Sequence, residues 1–131
     1  MSAKLDKILA EISAGELVDK ITILEIKKAK ISNKDKIANI ERELKSSNET
    51  FKKSIPDTSA ISQHIDNLKS LNLKLWDIED GKRLAEKNKD FGEKFIELAR
   101  NVYKINDQRA KVKLQINESL GSNIKEVKSY E

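Results

Sequence analysis

The sequence holds no cysteine, so neither a disulfide nor a thiolate metal site can contribute to it, and redox compartment leaves no mark on the chain. One proline and four glycines among 131 residues offer few places where a helix must stop, and little of the turn chemistry that a sheet needs. No apolar run reaches the length of about 18 residues that suggests a membrane span. The opening Met-Ser-Ala-Lys-Leu-Asp-Lys also lacks the apolar stretch of a signal peptide. A cytoplasmic location without membrane contact is the resulting expectation. Apolar residues make up 37% of the chain and charged residues also 37%, which is lean for a compact core. Long helices sharing a seam, or an oligomer, fit that balance better than a monomeric globule.

The net charge is +4, and a sequence pI near 9.2 invites a nucleic-acid reading. The distribution argues against it. Residues 1–60 carry 12 basic and 10 acidic side chains and residues 61–131 carry 14 and 12, so the excess is spread evenly and no basic arm exists. No specific nucleic-acid partner is expected.

What the chain does have is strong helical periodicity, and the expected fold is all-α: one domain spanning 1–131, a bundle of four amphipathic helices. Residues 1–13 form an N-terminal segment and 122–131 a tail. The first helix starts after Ser13, where Ser13-Ala14-Gly15-Glu16 has the form of a capping box, and ends near Ile31. Ser32-Asn33-Lys34-Asp35 repeats that form and opens a second helix running to about Ser54, with Pro56 as its stop. Asp57 or Thr58 caps the third, which continues to about Asn88. Asp90-Phe91-Gly92-Glu93 starts the fourth, which ends near Ser119 with Gly121 as its C-terminal cap. Each of the last two helices would be roughly 45 Å long at 1.5 Å per residue, and their short connection folds them into an antiparallel hairpin. Acids in the first turns and Lys and Arg in the last turns complement the helix dipoles, which accounts for the basic runs.

The fourth helix carries the clearest stripe, Phe91, Phe95, Leu98, Val102, Ile105, Arg109, Val112, Ile116 and Ser119, with the spacing of a coiled-coil seam. Ile61, His64, Leu68, Leu71, Leu75 and Ile78 make a matching face on the third, and Ile37, Ile40, Leu44, Phe51 and Ile55 on the second. The first differs: beside Leu17, Ile21, Leu24 and Ile31 it places Ile23 and Ile26 on the opposite side. Such a helix is covered on two sides. It is either central or part of a subunit interface, and the shortage of apolar residues favours the interface. Ile23, Ile26 and Trp76 are the candidate interface residues, and a homodimer is the favoured state.

Four segments, GELVDKITILEIK, LWDIEDGKR, ARNVYKINDQRA and the closing Lys128-Ser129-Tyr130, resemble a family of uncharacterised bacterial and phage proteins, domain of unknown function 6165. The resemblance covers most of the chain from Gly15 to Tyr130. It implies a self-contained domain and assigns no reaction, so no catalytic residue follows from it. It also implies an extended rather than helical segment before Gly15.

Several polar residues stand in unexpected places. Arg109 lies in the middle of an apolar seam, where an unpaired guanidinium is costly. Folding the hairpin about Lys89 brings it level with Lys69 to Leu71, which offer no acid, so its carboxylate should come from helix one or two, or from another subunit; the plainer alternative is an Arg that snorkels to water. Glu79 falls on the core side near Trp76, and folding puts it level with Val102 and Tyr103. A Tyr103 to Glu79 hydrogen bond is one reading, and a local pair with Arg83 the commoner one. Asp19, Glu79, Tyr103, Asn106 and Arg109 are therefore the candidate polar cluster. His64 and the aromatics Trp76 and Tyr103 read first as packing residues. Gly81 inside a helix calls for a close approach by another backbone, or a kink. Tyr130 belongs either to a loose tail or to one that docks on the bundle.

The function these features favour is a non-enzymatic helical module that self-associates or docks a protein partner, with no cofactor. The alternative is a magnesium-dependent all-α nucleotide phosphohydrolase using the helix carboxylates Asp19, Asp77, Glu79 and Asp80, because bundles hold divalent metals with carboxylates on facing helices. Asp77 and Asp80 project away from the Leu68-Leu71-Leu75 face, which counts against it.

Overall fold

A computed structural model describes residues 4–124. Within them the chain forms four helices and no strand: α1 (Ala14–Lys30), α2 (Lys34–Ser54), α3 (Ser62–Lys87) and α4 (Glu93–Leu120). The fold is an all-α bundle in which α3 and α4 make a long antiparallel hairpin, about 39 and 42 Å at 1.5 Å per residue. Residues 4–12 precede α1 without regular structure, and Leu5, Ile8 and Leu9 are exposed. The tail from Lys125 onward, with Tyr130, lies outside the described residues. No described helix is long and apolar enough to cross a membrane.

Local chemistry sets the helix ends. Ser13 Oγ accepts from Glu16 N–H at 3.1 Å, as the capping box requires. The cap of α2 is Asn33 rather than Ser32, its Oδ1 accepting from Lys36 N–H at 3.0 Å. The start of α3 is later than expected. Asp57 closes an Asx turn onto Ser59 N–H at 3.0 Å, which lowers its carboxyl below the ordinary value, and residues after it turn once more before α3 begins. Between the hairpin helices, Asp90 N–H reaches Ala85 O and Lys89 N–H reaches Glu86 O, a Schellman motif that leaves Lys89 at φ 54°. Gly121 supplies the same left-handed step after α4.

The first helix is central, packing against all three others. Its face with Leu17 lies beside Thr50, Ser54 and Ile55 of the α2 end. Its other face, Val18, Asp19, Thr22 and Ile26, docks on the hairpin; α1 runs parallel to α3 and antiparallel to α4, as Gly15 with Asn117, Glu16 with Lys113 and Asp19 with Arg109 show. Both sides are thus covered within one chain. Ile26 is 3% exposed without any second copy, while Ile23 and Trp76 stay half-buried.

The tight core, Val18, Ile55, Ile61, Leu68 and Ile116, sits at the end of the bundle where α1 begins. Leu120 packs against it, whereas Ser119, the last member of the expected seam, is exposed. Burial then fades along the hairpin, and no residue between 73 and 115 is fully buried. Gly81 meets the Leu98 side chain, 3.3 Å from where its Cβ would stand, so a side chain and not a backbone fills that space.

Candidate functional site

The start of α1 is fixed by the end of α4. The first free amide of α1, Ala14 N–H, donates to Ser122 Oγ at 3.1 Å, and the next, Gly15 N–H, to Asn117 Oδ1 at 2.6 Å. With Ser13 serving Glu16, three side chains satisfy three of the four donors that a helix start leaves unpaired. Gly15 allows the approach: a Cβ there would lie 2.6 Å from Lys113 O.

One turn further, Asp19 is the centre of a polar cluster between α1 and the hairpin. Its side chain is 7% exposed. Arg109 Nη2 donates to Asp19 Oδ2, and Lys113 Nζ stands 3.5 Å from the same oxygen. Asn72 Nδ2 donates to Asp19 Oδ1 at 2.8 Å and to Thr22 Oγ1 at 2.9 Å, and Thr22 in turn donates to the Asp19 carbonyl. Arg109 Nη1 also reaches Asn106 Oδ1 at 2.7 Å, and Lys113 Nζ reaches Glu16 Oε1 at 2.6 Å. Two carboxylates therefore meet two cations, so the charge taken out of water is balanced. Donors on both oxygens of Asp19 make it a clamp between α1 and the hairpin.

A family model described as a family of unknown function, DUF6165, matches residues 8–131. The chain belongs to this family. No curated protein and no solved structure matches it. The cluster of this DUF6165 domain draws on three separated stretches: Gly15 to Thr22, Asn72, and Asn106 to Lys113.

Of the residues expected to form a cluster, the fold brings Asp19, Asn106 and Arg109 together and leaves two outside. Tyr103 is 54% exposed on the outer side of α4, and Glu79 pairs with Lys82 at 3.5 Å, so neither the Tyr103 bond nor the Arg83 pair forms. Arg83 pairs instead with Asp80 at 3.4 Å. Both observed pairs are i, i+3 contacts within α3. Asn72, Thr22 and Lys113 went unforeseen. Lys113 is one turn from Arg109 on the same face, and Asn72 follows directly on the level assigned to Arg109, so both were open to the same reasoning.

The acids of the phosphohydrolase reading do not converge. Asp19 is held by Arg109, Asp77 is exposed, and Glu79 and Asp80 have their own cations. Among the described residues no three of His, Cys, Asp or Glu stand close enough to hold a metal ion.

Beside the cluster, α1, α3 and α4 enclose a cleft of about 370 Å³. The DUF6165 fold here gathers the three candidate interface residues: Ile23, Ile26 and Trp76 line it together with Leu75. Asn72, Arg109, Lys27, Glu79 and Arg83 complete its lining.

Proposed function

We propose that this protein is a non-enzymatic helical association module, and that its partner is a second copy of the chain. The observation behind the reading is the bare outer half of the α3–α4 hairpin. Leu84, Phe91, Ile96 and Tyr103 are each more than half exposed there, and nothing from residue 73 to 115 is fully buried. On α4, Ile96, Ala99 and Tyr103 follow the i, i+3, i+7 spacing of a second seam next to the one that faces α3.

A two-helix hairpin has too little core to order itself for this length. Two hairpins laid side by side form a four-helix bundle and bury the second seam. The charges of the arm suit a copy of itself, since residues 77–104 hold seven acidic and seven basic side chains while the whole chain carries +4. Such a surface repels neither itself nor its image across a two-fold axis.

Sedimentation equilibrium at tens of micromolar tests the reading. A dimer is expected, and Ile96→Glu together with Tyr103→Glu should return it to a monomer with unchanged helix content. A wild-type monomer under those conditions, or a dimer indifferent to both substitutions, would overturn it.

A further inference from the structure

We propose that the cleft between α1, α3 and α4 binds a flat, uncharged molecule with an apolar or aromatic body and a carboxamide or ring-lactam edge. Two atoms carry the inference. Asn72 Oδ1 and Arg109 Nε are buried, and neither has a hydrogen-bond partner. Both residues border the same cleft, and Asn72 as a whole is only 5% exposed.

Their orientation is fixed by bonds already made. Asn72 must turn its amide nitrogen toward Asp19 and Thr22, both acceptors at that position, so its oxygen faces away from them. Arg109 commits Nη1 to Asn106 and Nη2 to Asp19, which holds the guanidinium plane and leaves Nε–H unmatched. Two residues that line the cleft thus keep one acceptor and one donor, each costly while unmatched.

The complementary edge has one donor beside one acceptor and no charge. A carboxamide or ring lactam supplies both: its carbonyl accepts from Arg109 Nε–H, and its N–H donates to Asn72 Oδ1. A carboxylate supplies only acceptors, so one oxygen would confront Asn72 Oδ1. The walls fix the rest of the ligand. Ile23, Ile26, Leu75 and the Trp76 indole present apolar surface, and the volume is at the small end of ligand sites. Leu75 and Trp76 are only half-buried, so these walls are not locked into the core.

Trp76 is the sole tryptophan, which makes its emission a direct report on the cleft. The probe is benzamide, titrated against the full chain, with benzoate and toluene as comparisons. Saturable change of Trp76 emission by benzamide at millimolar concentration is expected, with benzoate and toluene each about tenfold weaker or more, a difference of about 1.4 kcal/mol. Ile23→Phe fills the cleft from a half-buried position and should abolish the response while thermal unfolding stays cooperative. Asn72→Asp should weaken benzamide, because a charged oxygen replaces the amide next to Asp19. No saturable change with benzamide would overturn the proposal, leaving water as the partner of both atoms. Equal binding of all three probes would overturn it too, by reducing the cleft to an unselective apolar hole.

Discussion

Arg109 and Asp19 are 90 residues apart in the chain and joined through a guanidinium to carboxylate contact with 16% and 7% of their side chains exposed. The pair ties the middle of α4 to the first half of α1. Because Lys113 and Asn72 converge on the same carboxylate, Asp19 is the member whose loss strands the most partners.

Asp19→Ala should therefore destabilise the protein by about 3–5 kcal/mol, since the Arg109 guanidinium loses its counter-charge and Asn72 an acceptor, while Lys113 keeps Glu16. Arg109→Ala should cost less, because Lys113 still faces Asp19, and Arg109→Met should recover part of that loss by keeping the packed stem. Urea unfolding of the three variants checks the order. If Asp19→Ala and Arg109→Ala are both neutral, the cluster contributes no stability.

Gly15→Ala improves helix propensity by about 1 kcal/mol and should nevertheless destabilise the protein. The new methyl would press on the Lys113 carbonyl from 2.6 Å, and backbone cannot step aside cheaply. Asn117→Ala should cost about 1 kcal/mol by removing the acceptor of Gly15 N–H. A rise in melting temperature for Gly15→Ala would show that α1 and α4 stand further apart than described.

Lys89→Gly should stabilise by about 1 kcal/mol. Its φ of 54° is a left-handed conformation that costs a side-chain-bearing residue and suits glycine. Lys89→Ala serves as the control, since it changes the side chain and keeps the strain. Equal stability of the Gly and Ala variants would contradict the left-handed turn.

The Asp57 carboxyl is held below its ordinary value chiefly by the Ser59 backbone N–H. A lowered folded value means that the carboxylate's contribution is complete above the unfolded value and is lost as pH falls through the folded one. Asp57→Asn should thus narrow the stability gap between neutral and acid pH. NMR titration of the Asp57 carboxyl should give a midpoint below that of a free aspartate, and a midpoint at or above it would remove the turn hydrogen bond.

Local rules carried a good part of this structure. Ser13, Pro56 and Gly121 bounded helices where residue chemistry placed them, and the seam from Phe95 to Ile116 gave the hairpin and its register. That register was close enough to place Arg109 within a residue or so of Asn72. Where a competing local interaction existed, the reading slipped. Asp57 closed a turn instead of capping α3, and Glu79 paired with Lys82 on its own helix rather than with Tyr103 of α4.

Periodicity also identified α1 as a helix covered on two sides, and it could go no further, because a doubly apolar helix has the same pattern at the centre of a bundle as in a subunit interface. Only the tertiary arrangement decided between them for Ile26, by laying the hairpin against that side. The docking face includes Asp19 and Thr22, which a hydrophobicity pattern assigns to solvent. Their burial depends on donors from Asn72, Arg109 and Lys113, brought from distant positions. Such compensation is a property of three helices in contact, whereas the apolar stripe that makes each of them a helix is a property of its own residues.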